Sequence, residues 1–402
     1  MKELISGKSK ALVLIAITYA FAKFQGGFAS WFLFYSCLVF LAYEVLAFSL
    51  MFTGLEVERE IDRSRLQEGE DVIVTVRLKR RIWFPLGWNM VIEPLPERLA
   101  GVYEPHRQLV FPWFKRSVEF RYVIPGLPRG YYHLEACVIS GGDFFGFIER
   151  RRTFPLSNDL LVYPRYRELN SWSLGDGNFS GTIHVSHRYS DDVAAVRGVR
   201  DYQRGDRMSQ IHWRASARGT GLKTKEFEHQ AMNQVVFFLD VEKEHYQNKP
   251  FQLFETAVKL TASLTAYANR NQYHYGLVYK QKDRVAIPPA CSPTHFFRVF
   301  DQLARVMPEG TDSFVRILRR EALEQPPGVT LTVITACLDK ELVDLLTRLS
   351  HRGRRVQLLY VHDDPLLSLD EKQALRLLAS GRVTCKAVPM SDVEEWKRIG
   401  GA

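Results

Sequence analysis

The chain lacks most of the features that announce a chemistry. Its five cysteines (Cys37, Cys137, Cys291, Cys337, Cys385) are odd in number, far apart and never in a Cys-x-x-Cys pair. A disulfide scaffold and a zinc ribbon both need closely spaced thiols, so neither is expected. Scattered single thiols fit a reducing compartment or buried structural roles. No Gly-x-x-x-x-Gly-Lys-Ser/Thr stretch is present to cradle nucleotide phosphates, and no Gly-x-Ser-x-Gly elbow presents a nucleophilic serine. Internal repeats and low-complexity linkers are absent too. His184-x-x-His187 has ligand-like spacing without a third ligand of motif character nearby, and reads as a polar loop pair. Ser216, His212 and Asp206 form a triad only on paper, as such triples do in any long chain.

What is present is an ordinary globular balance. The 402 residues are 46 % apolar and 25 % charged, which excludes a wholly disordered chain, a collagen and a many-span transporter. At roughly 100–200 residues per domain the length predicts two to four units. Lys plus Arg is 54 and Asp plus Glu 45, so 54 − 45 gives a formal +9. An excess that mild is compatible with nucleic acid, an anionic membrane surface or a basic groove, and its distribution decides.

Long apolar runs are confined to residues 11–53. Residues 11–22 carry no charge, and residues 28–52 carry only Glu44. About 20 apolar residues cross a hydrocarbon core. The second run reaches that length. The first does so if Lys23 snorkels and Phe24 is counted. Gln25-Gly26-Gly27 between them breaks the helix. A cleaved leader, with Lys2, Lys8 and Lys10 before it and Ala20-Phe21-Ala22 as cleavage site, is the competing reading, but a second apolar run so close argues for a two-helix transmembrane hairpin. The basic N-terminus stays in the cytoplasm, which predicts a multi-pass cell-membrane protein whose soluble domains face the cytoplasm. Glu44 reads as an interfacial residue rather than an ion site.

From Leu55 to about Pro164 the periodicity is two. Val72, Val74, Val76 and Leu78 alternate with polar residues, as in a half-buried strand, and residues 90–92, 116–124, 130–140 and 160–163 are further strand candidates punctuated by prolines. Short strands without a long helix predict an antiparallel β-sandwich, with Trp83, Trp88 and Trp113 in its core or at strand ends. From Gln234 the pattern alternates strand and helix. Val235-Val236-Phe237-Phe238-Leu239 is a strand buried on both faces, residues 251–272 form a helix, and strands over 275–279, 331–335, 356–361 and 383–388 alternate with helices over 294–306, 313–324, 340–350 and 369–379. That predicts a mostly parallel, helix-covered sheet.

The segment between them is the most distinctive. From Val196 to Glu226 it holds eight Lys/Arg against three acids, 8 − 3 = +5 of the excess. Poor periodicity and many Gly, Asp and Ser residues predict loop, with a short helix within 209–217. Tyr202 and Trp213 among arginines fit a nucleic-acid patch or Arg–carboxylate ties that pack the loop, with Trp213 and Tyr202 structural. Arg200-x-Tyr202-x-x-Gly205-Asp206, then Ile211-x-Trp213, Ala217-Arg218 and Leu222, followed by Glu226-Phe227-Glu228, resembles the signature of the bacterial domain-of-unknown-function 58 family. Gly142-Asp143-Phe144-Phe145-Gly146-Phe147 resembles the turn preceding it, with Phe144 where that family has proline.

This resemblance implies a membrane anchor, a β-rich domain and an α/β domain like that of von Willebrand factor A, encoded beside MoxR-type AAA+ ATPases and transglutaminase-like membrane proteins. It implies four segments: a two-helix transmembrane hairpin over 1–54, a β-sandwich over 55–165, a signature linker over 166–232 and a von Willebrand A-like (Rossmann-like) domain over 233–402. Such domains bind a divalent cation through Asp-x-Ser-x-Ser. Here the stretch is Asp240-Val241-Glu242-Lys243-Glu244, which keeps the aspartate and lacks both serines. Asp240 is therefore a weak metal candidate, expected to cap the next turn or meet Arg214 or Arg218. No cofactor and no nucleic acid are expected. The reading is a non-enzymatic adaptor or assembly factor at the bilayer; the alternatives are a cell-envelope enzyme with its site at Arg200–Arg218, or nucleic-acid binding there.

Overall fold

A computed structural model describes residues 2–82, 87–113, 115–142, 149–172, 195–202, 208, 211–218, 221–228, 234–363, 367–390 and 398–399. It is a mixed α/β chain with several sheets, in two compact units, Met1–Arg165 and Tyr166–Ala402.

The first unit opens with α1 (Lys2–Gln25) and α2 (Phe28–Leu50). Gly26 and Gly27, at φ 57° and 95°, turn the chain between them in a region that side-chain-bearing residues avoid. The Tyr19 and Phe34 rings lie 5.5 Å apart. Among the described residues α2 alone is long and apolar enough to cross a membrane; the apolar part of α1, Val13–Gln25, is shorter. Of the two expected spans, one is matched in length among the described residues.

The strands β1 (Leu55–Ile61), β2 (Arg65–Gln67), β3 (Val72–Arg80) and β4 (Trp88–Glu93) precede the short helix α3 (Glu97–Ala100); β5 (His106–Val110), β6 (Ser117–Ile124), β7 (Gly130–Gly142) and β8 (Glu149–Tyr163) follow it. They form one sheet ordered β1-β3-β6 and another ordered β2-β8-β7-β4-β5. The alternation in β3 does its work: Val72, Val74, Val76 and Leu78 join Tyr132, Ile139, Leu160 and Val162 of the other sheet in one core, which also takes in Met51 and Phe52 just past α2. Inside the unit the Arg59 guanidinium is fully enclosed, paired with Glu93 at 2.6 Å and donating to Asn158 Oδ1 and to the carbonyls of Leu134 and Leu156. Burial pushes the Glu93 carboxyl upward against the pull of Arg59. Of the tryptophans expected in the core or at strand ends, Trp88 is half-buried at the start of β4, and Trp113 is 57 % exposed between β5 and β6. Trp83 and the turn over 143–148 lie outside the described residues.

The second unit begins with β9 (Ser171–Trp172), β10 (Ala195–Asp201), α4 (Trp213–Ser216) and β11 (Lys223–Glu228). There follow β12 (Gln234–Leu239), α5 (Lys243–Tyr246), α6 (Phe251–Arg270), β13 (His274–Lys280), β14 (Arg284–Ala290), α7 (Pro293–Arg305) and α8 (Phe314–Glu324). The chain closes with β15 (Thr330–Thr335), α9 (Lys340–His351), β16 (Arg355–His362), α10 (Leu369–Ser380), β17 (Thr384–Pro389) and β18 (Arg398–Ile399). One sheet runs β14-β13-β12-β15-β16-β17, parallel throughout except for the antiparallel edge strand β14. The run from Val235 to Leu239 is buried at every position, as a strand covered on both faces must be. Gly276 permits the β13–β14 approach, since a Cβ there would stand 2.5 Å from the Ile287 carbonyl oxygen.

Trp172, in β9, is 4 % exposed, stacks 5.8 Å from Phe237 and donates its indole N–H to Gln357 Oε1 at 3.0 Å. The basic segment, expected to be mostly loop, contains the antiparallel hairpin β10–β11.

Candidate functional site

Ligands of open parallel sheets collect at the carboxyl ends of the strands, particularly where the strand order changes direction. Here β12 and β15 are neighbours at that edge, and β12 delivers Asp240 to it. The Asp240 side chain is fully buried and its oxygens are engaged. Oδ1 accepts the Glu242 amide at 3.0 Å; Oδ2 accepts the Thr335 hydroxyl at 2.6 Å and pairs with His245 Nδ1 at 2.7 Å. Tyr246 donates its hydroxyl to the Asp240 carbonyl at 3.2 Å. Glu242 accepts the Phe314 amide at 2.7 Å, and Lys249 donates to the Ala336 carbonyl at 2.5 Å. The short helix α5 carries His245 back over Asp240. Burial works against charging that imidazole, but the hydrogen bonds and charges of Asp240 and the Cys337 side chain outweigh it and raise its pKa to about 11.

The expected turn-capping role of Asp240 is what the Glu242 amide bond describes; its basic partner is His245, five residues on, rather than Arg214 or Arg218. Ligand atoms of Asp240, Glu242 and His245 do lie within 4.8 Å of one another. The donor set is a poor match for a hard divalent cation, which prefers oxygen ligands, because one of the three groups is an imidazole. Both Asp240 oxygens already accept hydrogen bonds, and the Glu242 carboxylate accepts the Phe314 amide.

The signature residues build a separate region. Ile211 is buried and bridges to Thr224, and the His212 amide donates to the Lys223 carbonyl at 2.8 Å. His212 Nδ1 caps α4 by accepting the Ala215 amide at 3.1 Å. Ser216 Oγ accepts the Lys223 amide at 2.8 Å and donates to the His212 carbonyl at 3.1 Å. Those bonds use both residues as loop fasteners, and Asp206, the third member of the paper triad, lies outside the described residues. The Tyr202 amide donates to the Leu222 carbonyl at 2.9 Å, and Lys223 pairs with Asp201 at 2.6 Å. Arg200 lies on β10 opposite Thr224; Gly205, Asp206 and the pair His184 and His187 lie outside the described residues.

Two expectations for this segment need correction. Trp213 is 63 % exposed rather than buried, and Arg214 and Arg218 are exposed without an ion pair to any described residue. The reason is local: with His212 and Ser216 fastening the turn, α4 is too short to bury a face. Met208 and Leu222 are exposed beside them in sequence, as is Ala217. His212, Arg214, Ala215 and Arg218 line an open hollow of about 310 Å³. Sequence reasoning missed His245; its signal was an imidazole five positions after a strand-end aspartate. Of the thiols, Cys137 is fully buried and the others half-buried, and burial raises Cys385 to about 12.

Comparison with known proteins adds the following. Residues 198–380 match the family model described as "Protein of unknown function DUF58". Over 342 residues, 83 % of each chain, the sequence is 33 % identical to the uncharacterized protein YeaD of Bacillus subtilis (strain 168). Among solved structures, proximal thread matrix protein 1 from the mussel byssus matches at TM-score 0.29 and 11 % identity, over 41 % of this chain and 46 % of that one. The PilB minor pilin from Streptococcus sanguinis matches at TM-score 0.31 and 8 % identity, over 78 % and 85 %. Those structural scores are too low to carry an argument.

Proposed function

The chain belongs to the DUF58 family, and from that premise we propose that it is a membrane-anchored, non-enzymatic adaptor or assembly factor. In this reading α2, with α1 beside it, anchors the chain in the cell membrane as a hairpin with both soluble units at the cytoplasmic face. The two-sheet unit is a β-sandwich spacer. The six-stranded unit is a von Willebrand A-like domain that presents an interaction surface to a MoxR-type AAA+ ATPase, with a transglutaminase-like membrane protein as a further partner.

The observation that carries the proposal is the exposure of Trp213 beside Arg214 and Arg218. Tryptophan and arginine are the residues that most often dominate a protein interface, and a ring left in water at the end of a hairpin is available for one. The Asp240 edge supports the non-enzymatic reading, because the oxygens of its buried carboxylate are bonded to groups of the same unit. The hollow lined by His212, Arg214 and Arg218 is the observation favouring the second reading, an envelope enzyme or nucleic-acid binder at that segment.

A photoreactive amino acid placed at position 213 of the full chain in its own cells tests the choice. Cross-linking to a AAA+ ATPase is expected. Cross-linking to nucleic acid, or none to protein, contradicts the adaptor reading.

A further inference from the structure

The end of the first unit that receives α2 is strongly basic. Met51 and Phe52 continue α2 directly into the core between the two sheets, so the strand ends surrounding them lie where the apolar helix stops. A Cβ on Gly141 would stand 2.9 Å from Met51 Sδ, which fixes how closely the β7 end meets the helix end. Three chain segments converge there. Arg80 and Arg81 close β3; the Arg80 amide donates to the Arg116 carbonyl at 2.7 Å and the Arg81 amide to the Gly54 carbonyl at 2.9 Å. Lys115 and Arg116 lead into β6. Arg150, Arg151 and Arg152 open β8, paired with Gly141, Ser140 and Ile139 of β7.

These cations have two different occupations. Arg150 and Arg152 donate to the Phe48 and Phe52 carbonyls at 3.0 and 3.4 Å, and the Arg150 guanidinium lies 4.5 Å from the centre of the Phe48 ring. They satisfy carbonyls that a helix end leaves open and oppose its negative dipole. Arg81, Lys115, Arg116 and Arg151 are exposed and form no ion pair with a described residue. Burial lowers the neighbouring Arg80 to about 10 and leaves its Nη1 without a partner. Against these cations the three segments supply one described acid, Glu149, and β1 adds Glu56 opposite Lys79. Trp113, 57 % exposed, stands in the turn closed by the Lys115 amide on the Pro112 carbonyl at 2.8 Å. Tryptophan at that level is a common anchor at a membrane–water interface.

We infer that Arg81, Lys115, Arg116 and Arg151 form a docking surface for the phosphates of anionic phospholipid headgroups around the foot of α2. The inference rests on reading α2 as a membrane span. Four exposed cations and an interfacial tryptophan at the exit of an apolar helix meet the headgroup layer together, and each basic residue near an anionic surface adds to the attraction. The surface holds the first unit against the bilayer instead of leaving it to swing on one covalent link.

Native mass spectrometry of the full chain in neutral detergent, given an equimolar mixture of phosphatidylglycerol and phosphatidylcholine, tests this. Preferential retention of phosphatidylglycerol is expected, with Arg81→Gln, Arg116→Gln and Arg151→Gln each lowering the preference about fivefold. Arg151→Lys, which keeps the charge, and Lys282→Gln in the second unit should leave it unchanged. Equal retention of the two lipids, or a preference untouched by the three glutamine variants, overturns the inference. So does loss of phosphatidylglycerol to excess inorganic phosphate, which would reveal a site for the free anion. Alkaline extraction of the full chain from pure phosphatidylcholine vesicles separates the premise: retention upholds the span whatever the lipid preference, and release overturns the span itself.

Discussion

Replacing His245 with glutamine removes the cation held 2.7 Å from the fully buried Asp240 carboxylate. The Glu242 amide and the Thr335 hydroxyl remain as donors, both neutral. Breaking a buried charge pair costs about 3–5 kcal/mol, and glutamine returns part of this through a neutral hydrogen bond, so His245→Gln is expected to cost about 2–3 kcal/mol at pH 6. For a unit of this size that lowers the melting temperature by about 4–12 °C. The pH dependence is more telling than the size. The folded state raises the imidazole from 6.5 to about 11, so it binds a proton that the unfolded state has released across that interval. The contribution of His245 is therefore complete below pH 6.5, declines as pH rises and is gone once pH has passed about 11. Calorimetry of the full chain in detergent, with wild type and His245→Gln compared at intervals from pH 5 to 10, should show a gap that is constant at acid pH and narrows steadily above 6.5. A gap that stays flat to pH 10, or widens, would refute the imidazolium–carboxylate pairing.

Two further outcomes follow from the same unit. Calorimetric titration of the full chain with Mg²⁺ or Mn²⁺ should show no saturable binding at the Asp240 edge, since both Asp240 oxygens and the Glu242 carboxylate already accept hydrogen bonds; one-to-one binding abolished by Asp240→Ala would contradict this. Gly276→Ala would force a methyl group to 2.5 Å from the Ile287 carbonyl oxygen and 3.1 Å from the Pro289 nitrogen, both main chain, and should cost about 3 kcal/mol in thermal unfolding. An unchanged melting temperature would mean that β13 and β14 do not pair so closely.

The parts of the fold that were legible in the sequence are those where one period dominates. Val72 to Leu78 alternate because one face is core, and Val235 to Leu239 are continuously apolar because two are. The edge strand β14 was not legible: it contains Pro288 and Pro289, which only an edge position, needing fewer ladder donors, tolerates. The β10–β11 hairpin was missed because its glycines and charges suit loops equally well; its pairing is held by main-chain bonds and the Ser216 and His212 fasteners rather than by an apolar stripe. Trp213 and Trp113 show the limit of reading aromatics as core, since burial depends on whether a partner face exists. At the candidate site Asp240 was legible from its position after a buried strand. The contributions of His245 and Thr335 were not, because three-dimensional proximity across two strands and a one-turn helix leaves no spacing rule in the chain.

Biolayer interferometry between the full chain in lipid nanodiscs and a purified MoxR-type AAA+ ATPase from the same cells measures the proposed interaction itself. Saturable binding is expected, weakened about thirtyfold by Trp213→Ala as for an exposed anchor ring that becomes buried in a complex. The same substitution should leave the fold intact, because the ring is 63 % exposed in the free chain. No binding, or binding of Trp213→Ala as tight as that of the wild type, would contradict the adaptor function assigned to the hairpin.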